Sequence, residues 1–214
     1  RLMSGSNHNV VAVVTEKKGR DYSHHGIDLP PLWEYARVQG IPMLRAQDLP
    51  SLAREHGPIF GVVARYGQIL PEESINACAL GLLNCHGGHL PRWRGMNIPN
   101  HVILEGAEHS GATLHYIDIG VDTGPILDRA TFPITPSDTA FDVYLATQSL
   151  LMTLLDRNLD RLVEGRLHAV EQDRLIAAGE EVRTYTARDL ERAREVNQPV
   201  SFTELDRLAR AFEF

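Results

Sequence analysis

The sequence predicts an α/β protein with a doubly wound, mostly parallel sheet. Three observations lead there. Residues 10–15 and 59–64 are short, continuous, apolar runs rich in β-branched side chains, the pattern of strands covered on both faces. Segments with helical spacing alternate with these and later strand-like runs. The 214 residues, 43% of them hydrophobic, are enough to bury one core with a small appendage.

Residues 1–10 read as the last turn of a helix followed by a turn, without an initiator Met, so an opening strand and most of a first helix are expected to be missing before them. After the strand at 10–15 comes a polar loop, 16–21, and then His24 and His25, which have no carboxylate at metal-site spacing and read as solvated loop residues. Residues 31–40 carry apolar side chains at helical spacing between Pro31 and Gly40, a short helix with proline at its start and glycine at its end. Residues 41–44 read as a short strand, with Pro42 marking a sheet edge. A helix over 49–56 and a buried strand over 59–64 follow, and then Arg65 to Pro71 leaves the carboxyl end of that strand, where ligands bind in such folds. A helix runs from Pro71 to about Ala79. No GxGxxG or Walker loop follows any of these strands, which argues against a dinucleotide or nucleoside-triphosphate site.

Residues 81–95 are the densest in chemistry. An apolar run ends in Asn84 and His86, which share one face of a strand because side chains alternate with a period of two. An amide donor beside an imidazole suits attack on a carbonyl-like carbon, one stabilising a developing oxyanion and the other handling a proton. Beyond a glycine, proline and arginine-rich loop, residues 98–105 read as a helix capped by Gly106. Residues 111–117 alternate as a strand, 118–125 form a glycine-punctuated loop with two carboxylates, and 126–134 read as another strand. Ser137 has N-cap chemistry ahead of one long helix from Phe141 to Leu162. Residues 167–172 read as a final short strand, 180–195 as a charged, solvated stretch, and 202–214 as a small amphipathic helix.

The net charge of −7 lacks the basic character of a protein that wraps nucleic acid. Cys78 and Cys85 show no zinc pattern and read as free packing thiols in a reducing compartment. There is no apolar run of spanning length and no signal peptide, so a cytoplasmic protein without a membrane partner is expected. His86, His89 and His115 lack the cysteine or carboxylate spacing of a zinc set, so no metal is expected; His115, inside a strand, reads as a hydrogen-bonded core residue.

Several ordered motifs carry a resemblance beyond this pattern: residues 62–71, Asn84-Cys85-His86, residues 90–95, and 111–115 leading to 122–126. Together they resemble the 10-formyltetrahydrofolate-dependent formyltransferases over roughly residues 10–155, most of all those acting on nucleotide sugars. The resemblance implies a Rossmann-like formyltransferase fold, with a catalytic core over 1–160 and a small C-terminal region over 161–214. It implies a catalytic trio of Asn84, His86 and Asp122, in which Asp122 orients the imidazole and favours its cation. It places the pterin of 10-formyltetrahydrofolate against backbone groups of Gln68, Ile69 and Leu70, and of the loop from Asp118 and Ile119 to Asp122.

Among the family's amine acceptors, the tRNA enzymes carry a second barrel domain for which the residues after 155 are expected to be too few. The ribonucleotide enzymes carry Pro-Ser-Leu-Leu-Pro where this chain has Gly87-Gly-His-Leu-Pro91, a departure expected to open space beside the site. The resemblance therefore favours a nucleotide-linked amino sugar, a dTDP-amino-dideoxyhexose, and a homodimer. Glycinamide ribonucleotide, methionyl-tRNA and a non-catalytic binding module stay as alternatives. Arg65, Arg92 and Arg94 offer guanidinium forks for a diphosphate, and Trp93 and Tyr185 offer rings for a base or sugar, each with packing as the alternative role.

Overall fold

The computed structural model describes residues 9–15, 30–196 and 199–213. The opening residues 1–8, the loop at 16–21, His24 and His25 lie outside the described residues. The chain divides into two compact units, one of Arg1–Ile59 and Tyr66–Ala79, the other of Phe60–Arg65 and Leu80–Phe214.

In the first unit, strand β1 (Val13–Val14) pairs in parallel with β2 (Met43–Leu44). Helix α1 (Leu32–Val38) starts after Pro31, whose missing N–H costs nothing there, and Gly40 turns the chain at φ 66°. A 3-10 turn over Ala46–Asp48 leads into α2 (Leu49–His56), and α3 (Glu72–Ala77) follows Pro71 with Glu72 and Glu73 at its electropositive start. Ser74, fully buried, donates its hydroxyl to the Ala46 carbonyl at 2.8 Å and so ties α3 to that turn. A cavity of about 310 Å³ in this unit is lined on its polar side by Thr15, Arg45, Gln47, Tyr66 and Gln68, with Ile69 and Pro71 beside them.

The second unit is built on a four-stranded sheet. Its strands are β3 (Gly61–Ala64), β4 (Leu82–His86), β6 (His109–Tyr116) and β7 (Ile126–Pro133), in that spatial order. Strand β5 (Arg94–Gly95) and helix α4 (Ile98–Leu104) lie between β4 and β6 in the chain. β3 and β4 are parallel, whereas β4–β6 and β6–β7 are antiparallel. A further parallel pair joins β5 to β8 (Thr184–Tyr185), so three of the five described pairings are parallel, in keeping with the expected class.

Helix α5 (Ala140–Val163) packs on β6, β7 and β4 through a stripe that includes Val143, Leu151, Leu154 and Leu162. Its N-cap is Thr139, not the expected Ser137. The Thr139 hydroxyl accepts from Asp142 N at 3.2 Å and the Asp142 carboxylate accepts from Thr139 N at 2.9 Å, a reciprocal box that Ser137 is placed too early to make. The strand expected over 167–172 reduces to one bridge between Val170 and Ile126, because Gln172 already opens helix α6 (Gln172–Ala177). The charged stretch holds β8 and α7 (Ala187–Arg194), a helix that buries none of its residues; Tyr185 is the exception to the solvated reading. Helix α8 (Phe202–Ala211) packs on α4, and Asn100 Nδ2 donates to the Ala211 carbonyl at 2.7 Å. Trp93, Ile98, Val102, Ile103, Val143, Tyr185 and Ala211 form one buried cluster. No described helix is long and apolar enough to cross a membrane.

Candidate active site

Strand register assembles the site. Asn84 on β4 stands directly opposite His115 on β6, and His86 opposite Thr113, so all four side chains share one face of the sheet. The ladder shifts between Leu114 and His115, an irregularity of the kind that re-aims a side chain. The loop after β6 then brings in Asp122, whose φ of 53° is left-handed.

Asp122 is the centre of the cluster. Its Oδ1 accepts from Asn84 Nδ2 at 3.1 Å and lies 3.5 Å from His115 Nε2; its Oδ2 accepts from Gly95 N at 2.8 Å and lies 3.4 Å from His86 Nδ1. His86 is buried, and its Nε2 donates to the Trp93 carbonyl at 2.5 Å, which fixes a proton on that nitrogen because a carbonyl only accepts. By the same logic His115 carries its proton on Nδ1, 2.8 Å from Tyr116 O, and its Nε2 accepts from Asn84 Nδ2 at 3.1 Å. Both hydrogens of the Asn84 amide are thus met by protein acceptors.

Burial alone would push the Asp122 carboxyl up. The neighbouring His115 and His86 imidazoles and the Gly95 N–H outweigh it and hold the pKa at about 2. Burial also lowers His86, Asp122 opposes that and His115 reinforces it, leaving the imidazole below its ordinary value. The expected cationic His86 is therefore corrected: desolvation outweighs the neighbouring carboxylate, and at neutral pH the pair is a neutral imidazole beside an ionised carboxylate.

The loop after His86 differs from expectation. The glycine-rich departure does not leave open space, because a Cβ on Gly88 would lie against the Trp93 carbonyl and His86 Nε2. The loop closes there so that His86 can reach Trp93. Thr113, fully buried, pins it further by donating to Gly88 O at 2.7 Å and accepting from Leu90 N at 3.1 Å. Gly95, at φ 93°, lets the backbone of Tyr185 pass where a Cβ would stand.

Trp93 and Tyr185, offered by the sequence as stacking platforms, are core residues. Each is 3% exposed; their rings stack on one another at 5.4 Å, and His101 at 4.3 Å stacks on Tyr185 as well, so a base or sugar finds no open ring face. The Tyr185 hydroxyl donates to Glu105 at 2.7 Å, and burial, followed by that carboxylate, pushes its pKa up. Arg94 spends its Nε and Nη2 on the Gln172 carbonyl oxygen at 3.1 and 2.7 Å. Arg92 lies over Trp93, 4.7 Å from the ring centroid, and pairs with Glu181 at 3.1 Å and Glu105 at 3.6 Å, with 44% of its side chain exposed. Arg65, exposed and left-handed at φ 56°, sits 4.6 Å from the centroid of the Tyr144 ring.

The remaining expected positions fall in both units. Gln68, Ile69 and Leu70 belong to the first; Gln68 and Ile69 border its cavity, and Ile69 is 95% exposed. Asp118 and Ile119 belong to the second. Asp118 Oδ1 accepts from Gly120 N at 3.1 Å and Thr123 Oγ1 at 2.6 Å, which folds the loop on itself and leaves Ile119 87% exposed. Burial raises both thiols, Cys85 to about 11, so neither is a ready nucleophile. Among the described residues no group of three or more His, Cys, Asp or Glu side chains is arranged to hold a metal ion. Thr113, Gln172 and Arg129 are parts of this neighbourhood that motif reading does not find, since their roles depend on partners 23 to 78 residues away.

Comparison with known proteins decides the family. The family described as formyl transferase matches residues 2–158. The chain belongs to the formyl transferase family. It is 31% identical over 212 residues to a methionyl-tRNA formyltransferase of Legionella pneumophila (strain Paris), covering 97% of this chain and 66% of that protein. The chain thus spans about two thirds of the length of this curated relative. Among solved structures it resembles the N-formyltransferase of Helicobacter canadensis, in complex with folinic acid and dTDP-3-aminofucose, with a TM-score of 0.74 at 26% identity over 88% of this chain and 67% of the other. A sugar N-formyltransferase from a Shewanella species aligns with a TM-score of 0.70 at 24% identity, over 83% and 70% of the two chains, and shows the shared formyltransferase fold.

Proposed function

We propose that the protein transfers the formyl group of 10-formyltetrahydrofolate to the amine of a nucleotide-linked amino sugar, of the dTDP-amino-dideoxyhexose class. The observation that carries this reading is the cluster on Asp122, which gathers Asn84, His86 and His115 within 3.1 to 3.5 Å in a chain of the formyl transferase family. When bound, the folate supplies an electrophilic formyl carbon. The donor set fits such a group, since amide, imidazole and backbone N–H groups converge beside a loop that leaves Ile119 exposed.

Asn84 serves as hydrogen-bond donor to the oxygen that gains negative charge, and it does so by releasing one of its two present acceptors. His86 takes a proton at Nδ1, directly or through water, while Nε2 stays on Trp93 O. The imidazolium so formed lies 3.4 Å from Asp122 Oδ2, whose charge stabilises it. Asp122 orients the ring without itself changing protonation, as its low pKa requires. Backbone groups of residues 118–122 are proposed to meet the pterin, and Arg65 and Arg92, both exposed, to meet the diphosphate.

The sugar class is supported by the likeness to the Helicobacter canadensis protein, whose complex holds dTDP-3-aminofucose. A second reading, formylation of methionyl-tRNA, is favoured by the Legionella relative and opposed by the net charge of −7, which repels a polyanion. Tetrahydrofolate release with 10-formyltetrahydrofolate and a panel of dTDP-amino sugars, glycinamide ribonucleotide and methionyl-tRNA separates them. Turnover of an amino sugar is expected. Turnover of methionyl-tRNA or the ribonucleotide alone overturns the sugar reading, and turnover of none leaves a binding module.

A further inference from the structure

We propose that Gln172 is a positioning residue that holds the Asp122 turn and the Arg94 strand together for the chemistry proposed above, a reading on which this inference rests. Gln172 opens α6 and lies beyond residues 2–158, the part that the family matches. It is 2% exposed, and its amide is used in full. Nε2 donates to the carbonyls of Asp122 at 2.9 Å and Gly124 at 2.8 Å, and Oε1 accepts Nε and Nη2 of Arg94 at 3.1 and 2.7 Å. Carbonyls only accept and guanidinium groups only donate, so a single amide orientation satisfies all four contacts.

Two features give this contact a task. Asp122 is left-handed at φ 53°, an unfavourable conformation for a residue with a Cβ, so the turn needs partners that reward it. Gln172 rewards it directly, by donating its two amide hydrogens to two carbonyls that the turn aims the same way. That turn points the Asp122 carboxylate at Asn84 Nδ2, His86 Nδ1 and Gly95 N. The other end of the same amide grips Arg94, the residue adjoining Gly95. One buried side chain thus fixes the carboxylate and the backbone donor that the carboxylate accepts from. Another tie, Arg129 to Glu180 at 2.6 and 2.7 Å and to Leu90 O at 2.5 Å, fastens the same C-terminal segment without touching Asp122 and provides the control.

The test compares Gln172→Met, Gln172→Glu and Glu180→Gln in the full chain. The His86 imidazole, faced by Asp122 and His115, is titrated by NMR, and kcat and KM are measured with the acceptor that the panel identifies. Gln172→Met removes all four contacts without adding charge and carries the decision; Gln172→Glu keeps the side-chain size and the Arg94 contact while losing both donations to the Asp122 turn. Both are expected to move the His86 titration by about half a unit or more, and to lower kcat about tenfold or more while KM stays within about threefold. Glu180→Gln is expected to lower Tm and to move neither quantity. A parental His86 titration in the folded Gln172 variants overturns the proposal. If the parent protein turns over no acceptor, the functional reading fails and the His86 titration alone decides the role of Gln172.

Discussion

Two stretches of one unit use charge in opposite ways. Around Asp122 a half-buried carboxylate gathers amide, backbone and imidazole groups that drive its pKa down against burial, while burial takes that of His86 below its ordinary value. Around Trp93 the charges are spent on packing: Arg92 covers an indole and pairs with Glu105 and Glu181, Arg183 pairs with Glu105, and Arg94 is absorbed by Gln172. The first arrangement holds a neutral imidazole beside an ionised carboxylate. The second ties most of an arginine-rich loop, which reads as a phosphate site, into a seam that fastens the C-terminal segment and leaves Arg92 44% exposed. A cluster of charged residues is thus informative only together with the burial of its partners.

The largest expected effect belongs to the seam. Trp93→Ala removes a ring from the packed cluster and should cost about 3–5 kcal/mol in urea unfolding, with the acceptor KM unchanged in whatever protein remains folded. A loss under about 1 kcal/mol with a raised KM would return Trp93 to the ligand-binding role.

Next comes the acid behaviour of the cluster. Asp122 sits at about 2 in the folded protein against 3.8 when free, so its contribution is present above about pH 4 and lost as the pH falls toward 2. Asp122→Asn should remove on the order of 2 kcal/mol of stability at neutral pH and flatten the difference from the parent below pH 2. A constant difference across that range would dissolve the contrast between the two regions.

The smallest effect is Arg92→Ala. With 44% of the side chain exposed and one partner, Glu181, 70% exposed, the lost pairs should cost under about 1 kcal/mol, read from Tm. A severalfold rise in acceptor KM would then be the diphosphate contact, free of any change in packing.

Much of the fold is legible in the sequence because its causes are local. Helix α1 runs between the Pro31 and Gly40 that announce it, and Asn84 and His86 share a face because a strand alternates. What is not legible depends on distant partners. Nothing near Ser137 says that Thr139 will win the cap, except that Asp142 stands three residues after the latter. Nothing near Trp93 says that Tyr185 will cover it, and nothing near Gln172 says that its amide will meet Asp122, 50 residues earlier in the chain. The protonation of His86 escapes sequence reasoning for the same reason: the carboxylate is visible as a motif, but the burial that outweighs it is a property of the packed site.

The most direct test of the Asp122-centred chemistry is Asn84→Ala, with folinic acid binding followed by calorimetry and tetrahydrofolate release followed with the identified acceptor. Folinic acid affinity within about threefold of the parent and turnover lower by about 100- to 1,000-fold are expected for the loss of one donor to a developing oxyanion. Turnover at the parental rate in a folded Asn84→Ala protein would contradict the assignment of this cluster as the catalytic centre.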